Sequence, residues 1–321
     1  MLLSVLLTTY NAVNYLSDAI GSILNQTFKN FELVIVDDGS TDSTELLVKK
    51  INDPRINYIR IPHMGRSKAL NYGMQNCNYD WIALMDADDI SHPKRLEKQI
   101  EIIKKRHLVD WISNWHATFI EKLIDTIKLP EDSMEIRENL ILSNSICFAS
   151  SVFRKRIVLD AGGFEGSVFE DYNLLLKIKD KCNFYNIQEV LYFNRKRKNS
   201  HSRKNYEKIK SIIYKIQDPY YQELQSEFNL KNIFEENYYR GWREFAYGKK
   251  KTSRKYWNKL GIKIIFYPKA LIGWVFSLMP DKYFFYFRKL GINLVLFYSP
   301  FVSSDVKSTF QNILKGNSKS I

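Results

Sequence analysis

The chain has 321 residues, 45% of them apolar; that is long enough to bury a core and too hydrophobic for a disordered segment. Its formal charge is +13, but the first 190 residues hold 22 Lys and Arg against 26 Asp and Glu, and the rest hold 26 against 9. The three cysteines, Cys77, Cys147 and Cys182, are scattered without metal-ligand spacing, which excludes a disulfide scaffold and fits reduced, buried thiols.

The opening "MLLSVLLTTYN" lacks a basic n-region and a small-residue cleavage site, and reads as a first buried strand rather than a leader. "NYLSDAIGSILNQ" carries Leu16, Ile20, Ile23 and Leu24 at helical spacing. "FELVIVDDGS" is a second buried strand ending in acids and glycine, and in "DSTELLVKKI" Asp42 is placed to cap a helix with Glu45 closing a capping box. "INYIRI" is a third strand, "RSKALNYGMQNC" a helix, and "DWIALMDADD" a fourth strand. "SHPKRLEKQIEIIKKR" follows as a helix with Ser91 near its cap and Pro93 in its first turn. Further on, "SICFASSVF" reads as a strand, "GGFEG" as a turn or flexible loop, and "EDYNLLLKIKDK" as a helix opening on two acids. This alternation with near-continuous apolar strands predicts an α/β fold: a doubly wound, mostly parallel sheet with helices on both faces. A basic, aromatic helical region follows, and the division falls at 1–205 and 206–321.

Ligands of such sheets bind beyond the carboxyl ends of the strands. The polar clusters "TTYN", "DDGS" and "DADD" sit at those ends, and helix capping accounts for only one of them. In extended chain Asp86 and Asp88 face the same way, and two hard oxygen ligands suit Mg²⁺ or Mn²⁺ beside a phosphate-bearing substrate. Asp38 is the choice for contacting a nucleobase, since Asp37 ends the strand and serves the backbone. Thr8 offers a hydroxyl, Tyr10 a ring on which a base can stack, and Arg66 a guanidinium for a pyrophosphate. Three of these have a plain alternative: a helix cap for Asp38, a core tyrosine for Tyr10, a solvated arginine for Arg66. Glu170 and Asp171 open a helix whose dipole favours the ionised carboxylate a general base needs, although acidic first turns are common.

"SVLLTTYNAVNYLSDAIGSILNQTFKNFELVIVDDGSTDST", "MDADDISHPKRLEKQI" and "GGFEGSVFEDYNLLLKI" resemble the family 2 glycosyltransferases, the inverting group with the GT-A fold, from Leu3 to about Arg203. The resemblance implies that Thr8, Tyr10 and Asp38 hold the nucleotide base, most often uracil. It implies that Asp86 and Asp88 bind the metal, with Asp88 the more direct ligand. Asp171 would deprotonate the acceptor hydroxyl, with Glu170 positioning the acceptor. Many members carry a "YRxHxxSxS"-like segment for the diphosphate and metal; here it reads "NRKRKNSHS". Arg195 and Ser202 match it, Arg197 stands at the usual histidine position, and His201 is displaced. Arg197 is preferred for the diphosphate, with His201 either a shifted metal ligand or a bystander.

The basic tail interleaves Trp, Tyr and Phe with Lys and Arg, and its apolar runs stop well short of the ~20 residues a spanning helix needs. The pattern predicts a peripheral enzyme at the anionic, cytoplasmic face of the cell membrane, acting on a glycan or lipid-linked acceptor; the resemblance implies a nucleotide-sugar donor. The same aromatics can instead form a subdomain core or a dimer contact. A sugar-phosphate nucleotidyltransferase would share the sheet and the acids, but it calls for a glycine-rich loop that "TTYNAVNY" lacks. A nucleic-acid-binding protein would explain the basic half but not the acidic strand ends, so no nucleic-acid partner is expected. Oligomeric state has no signature.

Overall fold

The computed structural model describes residues 1–140, 144–166, 169–197, 211–219, 233–246, 249–266, 268–278, 298–299 and 304–317. They belong to two compact units: Met1–Ile136, Ser145–Lys196 and Phe301–Ile321 form one, and Arg137–Asn144 with Arg197–Pro300 form the other.

In the first unit β1 (Leu3–Thr9), β2 (Phe31–Asp37), β3 (Ile56–Arg60) and β4 (Trp81–Asp86) run parallel, in the order β4-β1-β2-β3. Between them lie α1 (Val13–Leu24), α2 (Thr44–Lys49) and α3 (Arg66–Asn76). Six of the seven β1 side chains are buried, as expected of a strand covered on both faces. Register fixes the edge: Thr8 lies opposite Val36 on one side and Asp86 on the other, and Thr9 opposite Asp37. The polar strand ends predicted from sequence therefore stand side by side. The strand order reverses at β1 and β4, the place where doubly wound sheets open a crevice.

Beyond β4 the sheet turns antiparallel through β8 (Val152–Arg154), β6 (Trp111–Phe119) and β7 (Leu123–Ile127). The long β9 (Phe184–Arg195) runs parallel to β6 and antiparallel to the two-residue β5 (Ile90–Ser91). Pairing of Ile90 with Phe193 brings the end of β9 beside the "DADD" turn. The helices that follow in the chain are α4 (Arg95–Lys105), α5 (Ser133–Leu140), α6 (Lys155–Asp160) and α7 (Glu170–Ile178).

Three local expectations fail for identifiable reasons. Ser91 is in β5 rather than at a helix cap: its N–H donates to Ser22 Oγ at 3.0 Å and its hydroxyl accepts from Gln26 Nε2 at 3.1 Å, both in the core. The capping box at α2 does not form. Asp42 does accept the Thr44 N–H at 3.0 Å, but Glu45 is taken by Lys49 at 2.6 Å and Arg60 at 3.2 Å. "SICFASSVF" becomes a 3₁₀ turn, Phe148–Ser150, before the short β8, because the Ser150 and Ser151 hydroxyls both donate to the Cys147 carbonyl and compete with a ladder.

The helix Ser304–Asn317 belongs to this first unit. Its Phe310 and Ile313 are buried with Ile90, Ala117, Phe119 and Phe193, and Phe310 packs on the Phe119 and Phe193 rings at 4.8 and 5.0 Å. Burying a phenylalanine of this kind stabilises by roughly 1.5–3 kcal/mol.

In the second unit the helices Ile233–Ala246, Lys250–Asn258 and Pro268–Ser277 enclose Trp257, which is fully buried against Tyr238, Trp242, Phe245 and Trp274. Glycines make the room. A Cβ on Gly241 would lie 2.0 Å from Trp257 Nε1, and one on Gly273 2.6 Å from Trp257 Cη2. Part of the tail's aromatic content thus forms a helical core.

Candidate active site

The end of β2 splits its two acids between different tasks. Asp37 is buried and accepts the Ser40 N–H at 2.8 Å and the Tyr58 hydroxyl at 2.6 Å. Burial, and then that bond to a carboxylate, push the Tyr58 phenol above its ordinary pKa. Asp38 is also buried, and it gathers the loop after β3: it accepts the N–H of Met64 at 2.7 Å and of Gly65 at 3.0 Å, and its Oδ2 lies 2.9 Å from His63 Nδ1. Gly39 permits this approach. It has φ +74°, and a Cβ there would meet the His63 nitrogen at 2.7 Å. The His63 ring stacks on Tyr10 with centroids 4.1 Å apart, and both side chains are well exposed. His63 has no signal in the sequence; a lone histidine after a short strand reaches Tyr10 and Asp38 only through the fold.

At the end of β4, Asp86, Asp88 and Asp89 each offer a carboxylate oxygen within 4.8 Å of the others. Asp89 is buried, and its two oxygens accept the Arg195 N–H at 2.7 Å and the Asn194 amide at 3.0 Å. Burial, and then the neighbouring Asp88 and Asp86, push its carboxyl well above the usual range. Asp89 thus anchors β9, while Asp86 and Asp88 are half-buried at the edge. Their hard oxygens fit a magnesium or manganese ion that keeps water and phosphate oxygens as its other ligands. The Asp86 N–H donates to the Tyr192 hydroxyl at 3.2 Å, which fixes the backbone there.

Arg66, the first residue of α3, ties these acids to the opening of α7. Its Nη2 donates to Asp86 Oδ1 at 2.8 Å and its Nη1 to Glu170 Oε1. Burial opposes the charge on Arg66, but Asp86, Glu170 and Asp171 outweigh it and the guanidinium stays protonated. The Asp171 carboxyl is raised to about 6, chiefly by burial and then by Glu170, with Arg66 acting in the opposite direction. A carboxylate of that pKa is ionised at neutral pH and is a better proton acceptor than an ordinary aspartate. Phe169 precedes the pair in the left-handed region at φ 59°, which few side chains other than glycine adopt. Residues 164–166 dock on α3: Asn71 accepts the Phe164 N–H at 2.8 Å and donates to its carbonyl at 2.9 Å, and Ser67 Oγ donates to the Gly166 carbonyl. Gly163, at φ +81°, leaves space for Asn71.

The structure thus brings Thr8, Asp86, Asp88, Arg66, Glu170 and Asp171 to one edge of the sheet, with Tyr10 and Asp38 at the neighbouring strand ends. Arg195 stands behind Asp88, with its Nε donating to the Asp88 carbonyl at 2.8 Å. Arg197 is exposed and belongs to the second unit; His201 and Ser202 lie outside the described residues.

Comparison with known proteins agrees with this geometry. The profile described as "Glycosyl transferase family 2" matches residues 4–158. The O-antigen biosynthesis glycosyltransferase WbnJ of Escherichia coli is 34% identical over 194 residues, which cover 56% of this chain and 73% of that protein. Two uncharacterised glycosyltransferases, from Haemophilus influenzae and Rickettsia typhi, are 34% and 30% identical, and the chain spans 47% and 64% of their lengths, less than two thirds in each case. Among solved structures, S. aureus TarS in complex with UDP-GlcNAc superimposes with a TM-score of 0.58 at 18% identity, over 87% of this chain and 80% of that one. A Pyrobaculum calidifontis mannosyltransferase in complex with GDP-Man and Mn²⁺ gives 0.54 at 14% identity, over 99% and 86%. These likenesses fit the GT-A fold.

Proposed function

Because the chain belongs to glycosyltransferase family 2, we propose that it moves a sugar from a nucleotide-sugar, read as a UDP-sugar, to a hydroxyl of a glycan or lipid-linked acceptor with inversion, in surface polysaccharide synthesis. The observation that carries this reading is the junction made by Arg66, which joins the Asp86 end of β4 to the Glu170–Asp171 opening of α7. A donor-side acid and an acceptor-side base are thereby held in one site. Asp171 takes the acceptor's proton, and Glu170 orients the acceptor. Arg66 turns toward the diphosphate as negative charge develops on the departing nucleotide. Asp86 and Asp88 would hold Mg²⁺ or Mn²⁺, which supplies Lewis-acid stabilisation of that leaving group. Tyr10, Thr8 and Asp38 line the place for the base. A hydrolysis screen over UDP-, GDP-, CDP- and dTDP-sugars, with and without each metal, tests the reading. Metal-dependent release of sugar from one donor class is expected, and hydrolysis of none of them, with either metal, would overturn it.

A second part of the reading places the protein at an anionic membrane surface on the cytoplasmic side. Among the described residues, no helix is long and apolar enough to cross a membrane. The second unit nevertheless exposes Leu271, Ile272, Val275 and Leu278 along and just past one helix, and Ile262 at 81% exposure. Lys251, Lys255 and Lys259 are exposed at four-residue spacing on the helix before it and the residue that follows that helix. From position 249 to 280 the chain has Lys249, Lys250, Lys251, Arg254, Lys255, Lys259, Lys263 and Lys269 and no acid. Each cation near an anionic surface contributes about 1 kcal/mol. Co-flotation with phosphatidylglycerol vesicles is expected for the wild type and should be lost on triple charge reversal (K251E, K255E, K259E); binding that survives the reversal would sink this part. Charge reversal is a cleaner test than truncation after Leu260, which would also strip Phe310 from the first unit's core.

A further inference from the structure

Arg195 matches the segment expected to meet the donor diphosphate, yet its guanidinium is engaged elsewhere. The Nε donates to the Asp88 main-chain carbonyl at 2.8 Å and the Nη2 to Asp18 Oδ2, on α1, at 2.9 Å. The guanidinium lies 4.6 Å from the Phe119 ring centroid and 5.1 Å from that of Tyr15. Its side chain is only 15% exposed. The residue's own N–H donates to Asp89 at 2.7 Å, and the neighbouring Asn194 amide donates to the other oxygen of Asp89. Arg195 ends a twelve-residue strand that is paired with β6 up to Phe119 and with β5 through Phe193. The post is therefore rigid.

From these contacts we infer that Arg195 is a positioning residue: it holds the Asp88–Asp89 turn against α1 so that the Asp86 and Asp88 carboxylates stand preformed for a divalent cation. The inference rests on the metal-dependent donor reading above and refines it by taking Arg195 off the diphosphate. The planar fork is essential to the role. One arm reaches a carbonyl and another a carboxylate on a different element, while the face of the ion covers two aromatic rings; a lysine ammonium cannot do all three. Partners one layer behind metal ligands typically change metal affinity by about 10–100-fold when removed.

Asp18 makes the test specific, because it holds the Nη2 arm of Arg195 from α1 while the Nε of the same guanidinium holds the Asp88 carbonyl. The dissociation constant for Mn²⁺ is measured by electron paramagnetic resonance of the free ion, alone and with UDP, in the wild type, R195M and D18N. Affinity for UDP is measured separately in EDTA, and melting temperature throughout. Both variants are expected to weaken Mn²⁺ binding on the order of 10-fold while metal-free UDP affinity stays at the wild-type value. If R195M unfolds, D18N carries the test alone. Unchanged Mn²⁺ affinity in D18N would overturn the inference, as would an R195M protein whose metal-free UDP affinity falls with its metal affinity, since the guanidinium would then touch the diphosphate. A wild type that binds Mn²⁺ but no nucleotide defeats the donor reading instead and leaves the Mn²⁺-only comparison to judge Arg195. A wild type that binds no Mn²⁺ defeats the positioning role itself.

Discussion

Asp171→Asn is expected to lower sugar transfer by roughly 10²–10⁴-fold while leaving nucleotide-sugar binding near normal. The substitution keeps the size and the polar contacts of the side chain and removes only its ability to accept a proton. The Tyr172 N–H that Asp171 accepts at 2.8 Å can still be satisfied by the amide oxygen. Transfer kinetics and equilibrium donor binding, measured side by side, check this, and a variant that transfers at near-normal rate would mean that another group is the base. The same residue sets a pH dependence. A base must be ionised to act, and burial, with Glu170 adding to it, raises the Asp171 carboxyl to about 6. Transfer by the wild type should therefore fall off as pH drops through that value. Arg66 opposes the rise, so Arg66→Gln should move the acidic limb of the profile to higher pH as well as weaken donor binding.

Asp88→Ala should abolish metal-dependent nucleotide binding, a loss on the order of 10²-fold or more, equivalent to several kcal/mol. The structure separates this effect from collapse of the turn. The Arg195 bond is to the Asp88 carbonyl, which alanine retains, and the anchoring to β9 is made by Asp89. Calorimetry of UDP with and without Mn²⁺, beside a thermal melt, distinguishes the two. An Asp88→Ala protein that still gains nucleotide affinity from Mn²⁺ would remove Asp88 from the metal site.

What the sequence made legible follows from periodicity. Continuous apolar strands such as "LLSVLL" and "LVIV" demand cover on both faces, and that alone implies a parallel sheet with its functional edge at the carboxyl ends. The polar endings Thr8, Asp37 and Asp86 then align because parallel strands of similar length start and stop together. Less legible was anything decided by contacts distant in sequence. That His63 stacks on Tyr10 depends on Gly39 letting two loops approach. Asp89 reads as one more acid of the "DADD" run, yet its oxygens are taken by Asn194 and Arg195, which stand more than a hundred residues further on. The "AGGFEG" loop reads from its glycines as a turn or a flexible loop, and what the sequence could not show is that Gly163 makes room for Asn71 of α3. At Glu45 a capping partner was outcompeted by nearby cations. Except at Glu45, whose partner Lys49 stands only four residues on, local propensity lost to a tertiary partner that no short window of sequence contains.

The helix Ser304–Asn317 has a consequence for biosynthesis. Phe310 completes the apolar layer over Phe119 and Phe193, so those rings stay wet on a nascent chain until the ribosome has passed position 310. Arg197–Pro300, the larger part of the second unit, is translated between Phe193 and Phe310. The half-built sheet must therefore wait with its greasy flank uncovered, a window in which chaperones and aggregation compete for it.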